Sequence, residues 1–290
     1  MNAVSIKSWR WKTNEQQKHR PSREGRFSQE DIVLLNKMVE AIREEGLRML
    51  EAKEILTEEK GGPEDVVTNY DRMVQENLER KLRKILPQAG FLGEEGLRAP
   101  ASDHDGSCFI IDPIDGTMNF SRGYGRSCIS VALAKEGRVV MGIVYDPYMD
   151  EMFTAELGKG AFLNGRPIRV SDRDLRKGVV MVGTMPYARE LADRTFRLAR
   201  TFFDRTLDIR RSGSAAIDIC AVAAGRAEVF YELKLWPWDY AAGSLIAREA
   251  GGVATNCEGS DLSLTDASSV LITNAAARED AFAVLREVMV

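Results

Sequence analysis

The chain has 290 residues, 44% of them hydrophobic and 29% charged, and its 40 Lys and Arg against 44 Asp and Glu leave a net charge of -4, too small to call for a polyanionic partner. Cys108, Cys128, Cys220 and Cys257 are far apart and His19 and His104 are the only histidines, so neither a zinc knuckle, a disulfide scaffold nor clustered-histidine chemistry is indicated, and any metal site falls to carboxylate oxygen and hard cations. No apolar run reaches the roughly 18 residues of a membrane span and no apolar core of a secretory signal stands at the N-terminus, so a cytoplasmic protein without a membrane partner is expected.

Residues 1–27 are polar and basic, with no helical or strand periodicity, and read as a flexible tail. Trp9 and Trp11 among its basic residues offer stacking and charge to a nucleic acid, the one place where such a partner is suggested. From Ser28, a plausible N-cap, apolar residues from Ile32 to Ile55 recur at helical spacing and predict one long amphipathic helix to about Leu56. After Gly61-Gly62-Pro63, Thr68 opens a second helix to about Leu86, which Pro87 and Gly90 end.

Residues 109–111, 128–133, 139–145 and 151–155 read as strands, and the turn signals Glu136-Gly137, Gly158-Lys159-Gly160 and Asn164-Gly165 suit an antiparallel meander. The second half alternates: strand 179–182, helix 189–203, strand 207–209, helix 215–224, strand 227–231, helix 240–249, strand 270–273 and a last helix that Asn274 can cap. The pattern predicts an α/β (α+β) unit over residues 28–290, with possible lobes 28–175 (metal-binding α+β) and 176–290 (α/β).

The chemistry centres on Asp112-Pro113-Ile114-Asp115-Gly116-Thr117. Asp112 follows the apolar run 108–111, Pro113 cannot continue a ladder, and the chain is expected to turn there. Asp115 and the flexible Gly116 then let two carboxylates and the Ile114 carbonyl converge. Two carboxylates that close repel unless a cation lies between them, and magnesium prefers such oxygen donors. A plain Asp-Pro-x-Asp-Gly surface turn is the alternative reading.

Glu94 and Glu95 stand at another strand or loop end, as ligands or as solvated acids. Asp239 opens a helix after Trp236-Pro237-Trp238, as N-cap or as ligand. Amides near Gly116 and Thr117 suit a phosphate oxygen, the Thr117 hydroxyl suits an attacking water, and Asp71 either orients that hydroxyl or serves a capping box with Thr68.

Taken together, Gly93-Glu94-Glu95, Asp112-Pro113-Ile114-Asp115-Gly116-Thr117-x-Asn119-Phe120 and Trp238-Asp239-x-x-Ala242-Gly243 resemble the signatures of the inositol monophosphatase family, the magnesium-dependent, lithium-sensitive phosphatases. Val67-Thr68-x-x-Asp71 and Gly213-Ser214-Ala215-Ala216 extend the resemblance over most of the chain from about residue 30. It implies a layered αβαβα sandwich, a homodimer and two to three Mg2+ ions. Glu94, Asp112 and the Ile114 carbonyl would hold one ion, Asp112, Asp115 and Asp239 another, and Glu94 with waters a weaker third, with Glu95 just outside. Thr117 and Asp71 would prepare the water, Gly116 and Thr117 would bind phosphate, and Ala215, Glu232 and Asp239 would face the alcohol.

The implied reaction is hydrolysis of a small phosphorylated polyol or sugar, with myo-inositol monophosphate the first expectation. Fructose 1,6-bisphosphate, a nucleotide-derived bisphosphate or histidinol phosphate are alternatives on the same site, and a regulatory or RNA-associated protein using the basic tail is an alternative of another class. The chain departs from the family pattern at Gly96, where Ser is frequent, and at Trp236 and Pro237, where His and Cys often stand. Arg210, Arg211 and Lys234 add positive charge nearby.

Overall fold

Helix α1 (Gln29–Leu50) carries Leu35, Met38, Ile42 and Met49 on one buried stripe, the spacing that makes a helix amphipathic. The computed structural model describes residues 29–96 and 106–289, so the expected tail and its Trp9 and Trp11, like the cap at Ser28, lie outside the described residues. The helix stops short of the expected Leu56. The Tyr70 hydroxyl binds the Lys53 N–H and C=O at 2.9 and 3.0 Å, and Asn69 binds the Leu56 N–H at 2.9 Å, so those backbone groups are taken from outside the helix.

A hairpin that the sequence did not announce follows: β1 (Thr57–Gly62) pairs antiparallel with β2 (Asp65–Thr68). Helix α2 (Asn69–Ile85) begins at a true capping box. Thr68 Oγ1 accepts from the Asp71 N–H, and Asp71 Oδ2 accepts from the Thr68 N–H at 2.8 Å.

Seven strands then build one sheet: β3 (Gly90–Gly93), β4 (Ser107–Asp115), β5 (Cys128–Lys135), β6 (Arg138–Asp146), β7 (Glu151–Glu156), β8 (Ala161–Leu163) and β9 (Arg166–Ile168). They lie in chain order, with β3 and β4 parallel and every later pair antiparallel. Between β4 and β5 sits the five-residue helix α3 (Thr117–Ser121).

The second sheet runs β11-β10-β12-β14-β13, from β10 (Val179–Val182), β11 (Asp208–Arg210), β12 (Val229–Leu235), β13 (Val253–Thr255) and β14 (Ser268–Thr273). Strand β12 runs four residues beyond the expected end at 231, and β13 was not foreseen. The helix expected over 189–203 divides into a 3-10 turn and α4 (Ala192–Phe203). Helices α5 (Ala215–Ala223), α6 (Pro237–Glu249) and α7 (Arg278–Met289) complete the chain, and Asn274 Oδ1 accepts the Ala277 N–H at 2.7 Å ahead of α7, as expected of a cap.

Three apolar clusters stack these elements into five layers. The first joins α1 and α2 to one face of the seven-stranded sheet, through Met38, Leu78, Phe109 and Ile143. The second fills the space between the two sheets with α5 and α6, whose faces are apolar nearly all round, as a helix buried on both sides must be. The third seats α4 and α7 on the far face of the second sheet, through Phe202, Tyr231 and Leu285. The expected αβαβα sandwich is the observed fold.

Candidate active site

Strand β4 does not end at Asp112. Asp112 pairs with Ser130 and Asp115 with Cys128, so three residues on β4 span two on β5: a β-bulge at Pro113-Ile114. This replaces the expected turn and has a direct consequence. Residues 112 and 115 of a regular strand would face opposite sides of the sheet, and the extra residue brings both carboxylates to the same cleft. Gly116 closes the bend at φ 89°, where an added Cβ would sit 3.1 Å from the Arg126 carbonyl and 3.2 Å from that of Gly213.

The cleft has a volume of about 350 Å³, within the range of small-ligand sites. Its floor holds Glu94 from the end of β3, Asp112, Ile114 and Asp115 from β4, Thr117 from α3 and Asp239 from α6. Gly116, Ala215 and Glu232 also line it. Asp71 and Glu95, expected among the catalytic groups, stand behind the wall. Asp71 is fully buried and its Oδ1 lies 2.9 Å from Thr117 Oγ1, which also lies 3.0 Å from the Ile114 carbonyl. The hydroxyl has one proton for these two acceptors. Asp71 therefore serves both readings, the cap of α2 and the partner of Thr117.

Asp239 is not an N-cap. Trp236 holds that position, and Asp239, three residues on, accepts the Trp236 N–H at 2.7 Å. Asp115 is committed to the start of α5: it accepts from Ser214 Oγ and the Ala216 N–H, both at 2.6 Å, and from the Ala215 N–H at 3.3 Å. The favourable end of the α5 dipole thereby holds a carboxylate beside the cleft. Lys60, on the β1 side of the hairpin, places Nζ 2.9 Å from Glu94 and 2.5 Å from Glu95. Gln75 fixes the Glu95 backbone through its N–H at 3.1 Å and its C=O at 3.0 Å.

Burial raises the pKa of Glu94, Asp112, Asp115 and Asp239, and each is pushed further by carboxylate neighbours or pulled back by its hydrogen bonds. Asp112 shows the repulsion best, since Glu94, Asp115, Asp239 and Asp71 all act on it in the same direction. Burial works against the Lys60 ammonium, yet Glu94 and Glu95 together hold it well above the ordinary lysine range.

Among the described residues no three His, Cys, Asp or Glu side chains stand close enough to enclose an ion as they lie. The reason is local: Lys60, the α5 amides and the Trp236 amide each claim carboxylate oxygens. Glu94 Oε2, Asp112 Oδ2 and Asp239 Oδ1 nevertheless keep no hydrogen-bond partner among the described residues. Three unpaired carboxylate oxygens, in mutual repulsion at one cleft, have the donor chemistry that suits a hard cation.

A profile of the inositol monophosphatase family matches residues 29–289. The chain belongs to the inositol monophosphatase family. It is 41% identical over 224 residues to inositol monophosphatase 2 of Solanum lycopersicum, covering 75% of this chain and 84% of the relative. Identity is 40% over 246 residues to inositol-1-monophosphatase of Rhizobium meliloti (strain 1021), covering 83% and 91%. The solved extragenic suppressor protein suhB of Bartonella henselae superposes with a TM-score of 0.82 at 35% identity, over 88% of this chain and 99% of that one. This family member is a phosphomonoesterase hydrolase.

Two further buried carboxyl groups line the cleft, and sequence reading caught only one of them. Glu232 was expected there. Its Oε1 accepts the Met185 N–H at 2.8 Å, and burial raises its carboxyl to about 8. At Gly183 a Cβ would lie 1.9 Å from Glu232 Oε2, so a larger residue there would displace that carboxyl group. Asp218 was missed: it is 2% exposed, lines the cleft, accepts the Ser212 N–H at 3.3 Å on Oδ2 and leaves Oδ1 unpaired. Burial pushes its carboxyl to about 7. Its signal in sequence was an acid inside the otherwise apolar run 215–223 of α5. Gln75 left no such mark, since it acts across the fold, and Lys60 and Ser214, though within the segments similar to the family, had no role assigned to them.

Proposed function

We propose that this phosphatase hydrolyses a small phosphorylated polyol or sugar, myo-inositol monophosphate first among them, with two to three Mg2+ ions. The observation that carries the reading is the convergence of Glu94, Asp112, Asp115 and Asp239 on a cleft whose floor also presents the Thr117 hydroxyl. Glu94, Asp112 and the Ile114 carbonyl would hold one ion, and Asp112, Asp115 and Asp239 another, with Glu94 contributing to a third. When bound, such ions supply positive charge that offsets the phosphate oxygens, acidifies water and stabilises the departing alkoxide.

The chain's own groups do the rest. Thr117 Oγ1 donates its proton to Asp71 Oδ1 and so turns a lone pair towards the cleft, where it accepts from the attacking water. Asp71 acts through Thr117 as a positioning residue, and Glu95 acts through its contact with Lys60. Gly116 and Thr117 bind the phosphate, while Ala215, Glu232 and Asp239 face the alcohol. Fructose 1,6-bisphosphate, a nucleotide bisphosphate and histidinol phosphate share the same reacting group, and the exposed Arg211 on the cleft wall suits a second anionic group on such a substrate.

A cytoplasmic homodimer inhibited by lithium completes the proposal. Among the described residues no helix is long and apolar enough to cross a membrane. Phosphate release from a panel of phosphomonoesters, with magnesium and with a chelator, tests the reading. Magnesium-dependent release from myo-inositol monophosphate is expected, and equal release under chelation overturns the metal assignment.

A further inference from the structure

The cleft rim carries a pair of aromatic rings for which the reaction above has no use. Trp236 and Trp238 stack with centroids 5.3 Å apart and planes 10° from parallel, and both line the cleft. Trp238 is 7% exposed and belongs to the core between the sheets, so it is held firmly, and Trp236 is half-buried upon it. Neither indole N–H has a hydrogen-bond partner among the described residues.

The backbone ties the pair to the reaction centre. The Trp236 N–H donates to Asp239 at 2.7 Å, and the Trp238 carbonyl accepts from Ser130 Oγ at 3.1 Å. The main chain that carries both rings is therefore tied to the Asp239 carboxylate and to β5. Two carboxyl groups with an unpaired oxygen lie on the same cleft: Glu232, with one oxygen on the Met185 amide and the other unbonded, and Asp218, with Oδ1 unpaired. Unpaired carboxyl oxygens call for hydroxyl partners, and a flat aromatic face calls for the apolar C–H face of a ring. A saturated polyhydroxylated ring presents both, with hydroxyls at its edge and C–H groups on its face.

Resting on the phosphatase reading above, we infer that Trp236, backed by Trp238, is a specificity-determining platform for the C–H face of a cyclic polyol leaving group, which acyclic alcohols do not engage. The step it serves is binding of the alcohol, so its effect falls on KM.

The test compares kcat/KM for myo-inositol 1-phosphate, adenosine 5′-monophosphate and the acyclic glycerol 2-phosphate in the full chain and in Trp236→Ala and Trp236→Phe. The cyclitol-to-glycerol ratio is expected to fall about tenfold in Trp236→Ala, the scale of a lost stacking contact, mainly through KM, and to stay within about twofold of wild type in Trp236→Phe. An unchanged ratio overturns the inference, as does a larger loss for the nucleotide than for the cyclitol. If none of the three esters releases phosphate, the phosphatase reading fails by itself. Calorimetric binding of myo-inositol 1-phosphate then decides: about tenfold weaker binding in Trp236→Ala supports the platform, and equal binding removes it.

Discussion

Replacing Asp112 by Asn should raise stability and abolish turnover at once. Asp112 is 1% exposed, and its Oδ1 accepts the Ile114 N–H at 3.0 Å, a bond an asparagine oxygen keeps. The volume is unchanged, so the variant differs in charge. Glu94, Asp115, Asp239 and Asp71 all oppose that charge. At an effective dielectric of about 20, two like charges repel by about 4 kcal/mol at 4 Å and about 2 kcal/mol at 8 Å. Proton uptake by the wild type relieves part of this, so the net gain without metal is on the order of 2 kcal/mol, or about 4–8 °C in Tm for a protein of this size.

Turnover moves the other way. On the proposed assignment Asp112 is shared between two ions, and its loss costs several kcal/mol of transition-state stabilisation, a fall of about a thousandfold or more. Thermal melts in EDTA and in saturating magnesium, beside phosphate release, measure both arms. Wild type should gain about 2.7 kcal/mol at a hundredfold excess of magnesium over its Kd, and the variant much less. A variant that melts below wild type in EDTA refutes the repulsion argument, and near-normal turnover refutes the metal assignment.

Thr117→Ala removes the hydroxyl held at 2.9 Å from Asp71, and kcat for phosphate release should fall about a hundredfold or more with KM little changed; a KM-only effect would show that the hydroxyl binds rather than positions. Asp218 binds its proton more tightly folded, near 7, than in the unfolded chain, near 3.8, so its contribution to stability is full below about pH 4 and is lost as pH rises towards 7. Asp218→Asn should flatten the urea-unfolding free energy across that window and stabilise the protein at pH 8 by at most on the order of 4 kcal/mol; an identical pH slope in both proteins contradicts the burial argument. Gly116→Ala forces a side chain into φ 89° and against two carbonyls. A loss of about 1–3 kcal/mol is expected in denaturant unfolding, and no loss would mean that the bend relaxes freely.

The tryptophan rim, the bulge and the hairpin mark where local reading ends. Amphipathic periodicity announced α1 and α2, and apolar runs with turn signals announced β4 to β7, because these patterns are set by which face must leave water. The segment Thr57–Gly62, charged and glycine-rich, has no such face, so β1 could be seen only through its pairing with β2. Charge and chemistry in Asp112-Pro113-Ile114-Asp115 were legible, but the bulge that turns both carboxylates to one side exists only as a register against β5.

By itself, then, the sequence determined the family, the layered fold and the residue types able to hold a hard cation and a phosphate, since these rest on motifs a few residues long and on hydrophobic periodicity. The tertiary structure decided which of those residues meet. Asp115 finds Ser214 across 99 residues, and Lys60 reaches Glu94 across 34. It also set the raised pKa values of Asp112, Asp218 and Glu232 and the stacking of Trp236 on Trp238 at the rim. Burial and contacts between distant segments are properties of the packed chain, and no stretch of it carries them alone.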